Sequence, residues 1–332
     1  MLTQGQRFEK REYTLEMVTP AFLGGADQSA EWRTPGIKAL IRQWWRVAYV
    51  AKYGVDVERM RDAEGERFGV AGRTPESSRK ATITIRFDEE PKAATSSVSG
   101  IPRDDGQSLQ YLGFGPFVQP TRPTTRLALN KGSKVKFKIL IQASNTQHCE
   151  ELAKEIDETL FLVGQFGTLG SRSSNAWGSV HITGDVVEFP LEDYAKALEH
   201  CMKDDWKQAI AKDNQGIMVW QTPEYNDSDA AMKALKIVRK ENQNTLAKAK
   251  GLRTLINGPT SKPKNENRWP NQFVFKVIKN GSHFRGQVAL LAHKWHSDNS
   301  SERLSDLLKS VAQELDATNT NFQRIQTIKS GV

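Results

Sequence analysis

The sequence predicts an α+β chain of two domains, and three observations lead there. Strand-like alternation and helix-like periodicity interleave in both halves instead of separating into blocks. At 332 residues there is room for two domains of ordinary size, each with its own core. Near residue 190 the composition shifts, which divides the chain into residues 1–188 and 189–332. A hydrophobic fraction of 38% and a charged fraction of 26% are those of a globular protein.

Residues 11–19 (REYTLEMVT) alternate apolar and polar positions, as a strand with one buried face does. Pro20, Gly24 and Gly25 break that pattern and open a loop to about Thr34. Pro35 suits the first turn of a helix, predicted over 36–53. A strand over 81–87 is followed by a polar stretch, 88–110, read as an exposed insertion. A strand over 135–142, a helix over 147–161, a Gly-containing loop over 164–178 and a short strand over 179–182 complete the first half. In the second half, 191–213 and 229–255 read as helices, the latter strongly basic. A polar link over 257–267 leads to strands at 272–278 and 286–292, joined through the Asn280-Gly281 turn signal. A last helix is predicted over 301–315.

The net charge of +8 suits a polyanionic partner, because neutralised phosphates release counterions; charge alone does not decide it. Only Cys149 and Cys201 occur, far apart, which predicts free thiols in a reducing cytoplasm. The polar start (MLTQGQRFEKREY) shows no secretory signal, and no apolar run is long enough to span a bilayer.

The helix over 36–53 carries most of the functional signal. Ile37, Leu40, Ile41, Trp44, Val47, Ala48 and Ala51 form one apolar stripe. Lys38, Arg42 and Arg46, four apart, form a basic ridge on another face, with Trp45 beside it. Such a ridge can pair with phosphates while an indole stacks on a base or sugar. The same pattern also fits a core helix with a solvated basic face, or a helix lying on anionic lipid. Ahead of it, Gly24 and Gly25 permit close approach of a ligand to the backbone, and Arg33 precedes the helix N-terminus. The loop over 166–178 adds Gly167, Gly170, Arg172 and Trp177, with hydroxyls and amides that can cradle phosphate.

The segments TPAFLGGA (19–26) and RTPGIKALIRQWWR (33–46) resemble the N-terminal signature of the RAMP superfamily. Within it, the Trp-Trp-Arg ending is most similar to the terminal, target-end subunit of type III-B (Cmr) CRISPR effector complexes. The loop over 166–178 sits where that family has its glycine-rich loop, and YLGFG (111–115) and RWPNQFVFK (268–276) also resemble family segments. The resemblance implies two ferredoxin-like (RRM-like) domains with inserted loops, capping a filament of related subunits in antiviral defence. Implied partners are CRISPR guide RNA, target RNA and other RAMP subunits of a type III effector, with no membrane and no cofactor. RNA contacts would fall on Gly24, Gly25, Lys38, Arg42, Arg46 and the loop bearing Arg172. The chain departs from the family at Thr168, Ser174, Asn175 and Ala176, and at Gly36 and Ala39, where other residues are usual.

Some RAMP backbone subunits cleave RNA with a metal-assisted Asp in the loop after the first strand, where this chain has Asp27. The terminal subunit is not generally held to cleave, and Asp27 has no clear second ligand in the sequence. His293 and His296 lack an HExxH carboxylate, the His-Cys pairs at 148–149 and 200–201 have no further support as nucleophiles, and there is no P-loop ending. No resident metal site is expected. Lys233, Lys236, Arg239, Lys240, Lys248, Lys250 and Arg253 form a basic run that is either a second RNA track or a solvated helix. Three readings stand: a structural RNA-binding subunit of a type III effector, a metal-dependent endoribonuclease subunit using Asp27, and a free-standing RNA-binding module.

Overall fold

The structure is a computed structural model that describes residues 7–24, 29–72, 74, 77–97, 127–236, 271–294, 301–317 and 321–325. In chain order the first half contains β1 (Arg7–Met17), α1 (Thr34–Tyr53), α2 (Val57–Phe68), β2 (Ile83–Phe87), β3 (Thr95–Ser97), β4 (Leu127–Leu129), β5 (Lys134–Ala143), α3 (Thr146–Phe166) and β6 (Val180–Gly184). The second half contains β7 (Ala195–Ala197), α4 (Leu198–Cys201), β8 (Ile210–Asp213), β9 (Gly216–Ile217), β10 (Val219–Gln221), α5 (228–236), β11 (Phe273–Asn280), β12 (His283–Leu290), α6 (Ser301–Asp316) and β13 (Gln323–Arg324).

The fold is α+β with antiparallel sheets. Two four-stranded sheets, β2-β5-β1-β6 and β11-β12-β10-β13, share one plan. Counting each sheet's strands along the chain, both run second, third, first, fourth, with every neighbouring pair antiparallel. In both, a helix follows the first strand and another follows the third.

The first sheet buries one face. Tyr13, Leu15 and Met17 of β1 and Val135, Phe137, Ile139 and Ile141 of β5 point into a core shared with α1 and α3. The opposite face carries Lys10, Glu12, Glu16, Lys134, Lys136 and Lys138, so these strands alternate as period 2 demands. The second sheet buries both faces over much of its length. Trp220, Phe273, Phe275, Val288 and Leu290 meet α5 and α6, while Val219, Val274, Ala289 and Leu291 join the first core.

The loop before β6 is the joint between the sheets. Ser174 O accepts from Phe275 N at 3.3 Å, and Ser179 Oγ accepts from Val277 N at 2.9 Å, so the loop runs along the edge of β11. Behind it, Lys276 is fully buried and its ammonium donates to Val163 O at 3.0 Å and to Gly164 O. Gln287, opposite Lys276 in the sheet, donates to Gln165 O at 2.7 Å. Two side chains of the second sheet thereby add donors at the last carbonyls of α3, where Val163 O also accepts from Gly167 N at 2.7 Å.

Two expectations are corrected. No helix spans 191–213: a 3-10 turn (Leu191–Tyr194), β7, the single turn α4 and β8 take its place, with β7 and β8 parallel. Apolar residues at 191, 194, 198 and 201 satisfy a helical period, but Ala209, Ile210 and Ala211 are buried in succession, as a strand covered on both sides requires. The second correction is an addition. Helix α2, capped by the Asp56 side chain accepting from Arg59 N at 3.0 Å, stands where no element was expected. Residues 98–110 of the insertion, the segments 111–115 and 257–267, and residues 237–255 of the basic helix lie outside the described residues.

Candidate nucleic-acid interface

Helix α1 begins behind Arg33, whose backbone is extended and whose side chain makes no capping hydrogen bond. Arg33 is half-exposed and pairs with Glu31 at 3.3 Å. The helix ends at Gly54, where φ is 79°, a conformation glycine adopts without a Cβ penalty. Its apolar stripe packs on α3, with Trp44 stacked on Phe166 at 5.2 Å between ring centroids.

The basic ridge exists as spacing dictates, but it faces α2 along one side. Arg42 Nε donates to Glu64 Oε1 at 2.7 Å, while Arg46 donates through Nε and a terminal nitrogen to both Glu64 oxygens, at 3.0 and 2.8 Å. Glu64 is buried, whereas both arginines keep 40% of their side-chain surface exposed. Burial pulls the Glu64 carboxyl up, yet the hydrogen bonds and charge of Arg46 and Arg42 outweigh it and hold it below the ordinary value. Lys38 donates to Phe68 O at 2.6 Å, and burial and the charge of Arg42 push its ammonium below the usual lysine value. One carboxylate thus answers the two arginines, and Lys38 leans on a neutral carbonyl. The ridge keeps a net positive face.

Trp45 is not part of that face. Its ring is buried against Tyr49 and Phe68, and its indole N–H donates to Glu155 Oε2 at 3.2 Å. Glu155 also takes two hydrogen bonds from Arg67, both at 3.1 Å. The expectation that Trp45 stacks on a base is therefore corrected: α2 closes over the position that a single-helix reading leaves at the surface. Trp177 is corrected in the same way, being buried against Phe22 with ring centroids 5.1 Å apart.

The two loops singled out in the sequence meet. Ser171 N donates to Phe22 O at 3.0 Å, Gly178 N to Pro20 O at 2.9 Å, and Thr19 Oγ1 to Ala176 O at 2.6 Å. Gly170 serves that meeting, while Gly167 and Gly24 allow close approaches within their own segments. A Cβ on Gly170 would sit 2.6 Å from Phe22 O, and one on Gly167 would sit 2.5 Å from Val163 O. Gly24 is closed on by Ser29, whose carbonyl oxygen would lie 1.5 Å from a Cβ there. What the second loop presents outward is Arg172, exposed and held at φ 60°, a left-handed conformation uncommon outside glycine. Gly25 and Asp27 lie outside the described residues, as does His296. His293 is buried, with its ring nitrogens 3.1 Å from Gln272 Nε2 and 3.2 Å from Leu291 O, so it is a satisfied core histidine.

Sequence reading missed Glu64 and α2. The available signals were the Asp56 cap and the four-residue spacing of Met60, Glu64 and Phe68, three of the buried positions of α2. Among the described residues, no group of three or more His, Cys, Asp or Glu could hold a metal ion. No described helix is long and apolar enough to cross a membrane.

No family model matches the sequence. Among curated proteins, the CRISPR system Cmr subunit Cmr1-1 of Pyrococcus furiosus is 23% identical over 203 residues, covering 60% of this chain and 55% of that protein. The chain thus matches about half the length of this curated relative. Among solved structures, the crystal structure of Cmr1 from Pyrococcus furiosus in its apo form is similar, with a TM-score of 0.54 at 15% identity, covering 91% of this chain and 96% of that one. A chain in the cryo-EM structure of the type III-B Cmr-beta bound to cognate target RNA gives a TM-score of 0.50 at 10% identity, covering 92% of this chain and 100% of that one. In sequence and in fold the chain is similar to Cmr1, as the resemblance of residues 19–46 to the RAMP superfamily implied.

Proposed function

We propose that this chain is a non-catalytic, RNA-holding subunit of a type III-B CRISPR effector, built of two ferredoxin-like domains, 1–188 and 189–332. The observation that carries the proposal is the likeness to Cmr1 over nine-tenths of the chain. The shared strand order of the two sheets supports the ferredoxin-like reading, since a β-α-β-β-α-β chain with this order is the split βαβ plan. Its partners would be guide and target RNA and other RAMP subunits; the type III-B assembly that contains a similar chain is bound to cognate target RNA.

Phosphates would meet the chain on Lys38, Arg42 and Arg46, with Arg33 and Arg172 flanking them. Sequence discrimination is left to base pairing. The ridge offers point charges and planar guanidinium forks, the chemistry of backbone recognition. The buried positions of Trp45 and Trp177 leave little to read a base at those sites. Gly24, Gly25, Gly167 and Gly170 stay in the proposal as backbone contacts to the RNA, and Gly170 is the one whose lack of a Cβ lets its loop approach Phe22.

The test is a salt titration of RNA binding by the wild type and by a Lys38→Ala, Arg42→Ala, Arg46→Ala variant. Each lost phosphate contact removes about 0.7 from the slope of log affinity against log salt for a single strand, so the triple variant should lose roughly 2. An unchanged slope would overturn the ridge assignment. Purification from the native locus should bring down guide-length RNA with related subunits. Heterogeneous RNA without partners would indicate a free-standing module.

A further inference from the structure

A groove of about 530 Å³ lies beside the ridge, between α1 and the chain that returns from α2. Among the described residues, Lys38, Arg42 and Arg79 line it, together with Ala39 and Val70, and no carboxylate does. Val70 is 46% exposed and Ala39 is exposed on the helix surface, so the groove has an uncovered apolar wall. Its outer lip is fixed: Val70 and Arg79 exchange backbone hydrogen bonds, both 2.9 Å, and the Arg79 guanidinium is held by Asp62 at 2.9 Å. Gly69 turns the chain into this lip at φ 81°, where a Cβ would stand 3.0 Å from Arg79 O.

We infer that this groove receives one nucleotide unit, its phosphate on Lys38, Arg42 and Arg79 and its base against Ala39 and Val70. Three cations converge and, among the described residues, their only carboxylate partners, Glu64 and Asp62, lie outside the lining. Such a convergence lacks an anion inside the groove, and a phosphate supplies one. The apolar wall is what a bare phosphate would not need. A nucleotide has both parts, and the volume falls within the usual range for small-ligand sites. Arg79 and Val70 lie in sequence that gave no functional signal, and only folding brings them to the ridge. The inference deepens the RNA reading and rests on it for the source of the nucleotide, since the same chemistry would accept a free mononucleotide.

Ala39→Phe tests the groove, because it fills the space without altering charge and projects from an exposed helical position. Binding of a single-stranded RNA of about ten nucleotides is measured by fluorescence anisotropy, beside a strand of equal length with abasic riboses. The wild type should bind the base-bearing strand at least about fivefold more tightly, and Ala39→Phe should erase that advantage while abasic affinity stays within about twofold. If the wild type binds both strands equally, or Ala39→Phe keeps the advantage, the groove takes no base and the inference fails, though the RNA reading stands. If the wild type binds neither strand, the RNA reading fails. The groove is then judged with adenosine 5′-monophosphate by calorimetry: binding lost in Ala39→Phe supports a free-nucleotide site, and no binding overturns it. Should Ala39→Phe not fold, Val70→Asp at the exposed wall replaces it, with loss of the same advantage expected.

Discussion

The two sheets share a strand order but not a way of being buried. The first is covered on one face by α1 and α3 and leaves the other carrying lysines and glutamates. The second is covered by α5 and α6 on one face and by the first half of the molecule on the other. A common topology therefore yields one sheet with a charged open surface and one that completes its partner's core. The polar residues follow. Lys136 on the open face stands in solvent, whereas Lys276 in the second sheet is sealed and spends its ammonium on the end of α3.

Two lysine substitutions sharpen that contrast. Lys276→Met keeps the length of the side chain but removes the donor to Gly164 O and the second donor to Val163 O, which still accepts from Gly167 N, and this should cost about 2 kcal/mol. Lys136→Met should change stability by less than about 0.5 kcal/mol. Urea unfolding of both variants checks the pair, and equal losses would break the comparison. A pH signature accompanies the first. Burial holds the Lys276 ammonium well below the 10.5 of a free lysine. Between its lowered value and 10.5 the unfolded chain binds more protons than the native one, so this lysine makes stability rise with pH. The difference in stability between wild type and Lys276→Met should therefore grow as pH is raised through that window.

The same contrast explains what the sequence revealed. Strands β1 and β5 alternate because one face is wet, and they were legible within a few residues of their ends. The β11–β12 hairpin was legible for another reason: Asn280-Gly281 is a turn signal, and Gly281 sits at φ 58° directly after the Asn280–His283 pair. Strands β8 and β10 were lost because they are only four and three residues long and their buried positions are adjacent, which leaves no alternation to read. Helix α2 was lost because eight of its twelve residues are charged or glycine, with Gly65 in mid-helix. That omission propagated into the candidate site. Without α2 there is no Glu64 under the ridge and nothing to cover Trp45, so the ridge was read with its charges free and its indole exposed.

Glu64 tests how much of the ridge is structural. Glu64→Gln should cost about 1 kcal/mol, a modest figure because both guanidiniums remain partly in water. Since the carboxyl is held below its ordinary value, its contribution is present above about pH 4.5 and fades as pH falls through the lower folded value. Acid unfolding of Glu64→Gln should lack that increment. The substitution also frees one unit of positive charge, so RNA affinity should rise about two- to threefold at low salt and converge on wild type at high salt. A fall in affinity would mean that Glu64 is needed to aim the arginines.

The smallest expected effect on RNA affinity belongs to Trp45. Trp45→Phe keeps most of the ring packing and removes only the indole donor to Glu155, which retains both hydrogen bonds from Arg67. A loss near 1 kcal/mol is expected, because one buried acceptor position goes unfilled while its charge stays paired. RNA affinity should stay within about twofold, since the ring lies beneath α2 and not beside the phosphates. Thermal unfolding and anisotropy on the same preparations separate the two. A large drop in affinity at unchanged stability would mean that α2 lifts away when RNA binds, restoring the indole as a stacking surface and making the closed ridge the resting half of a two-state element.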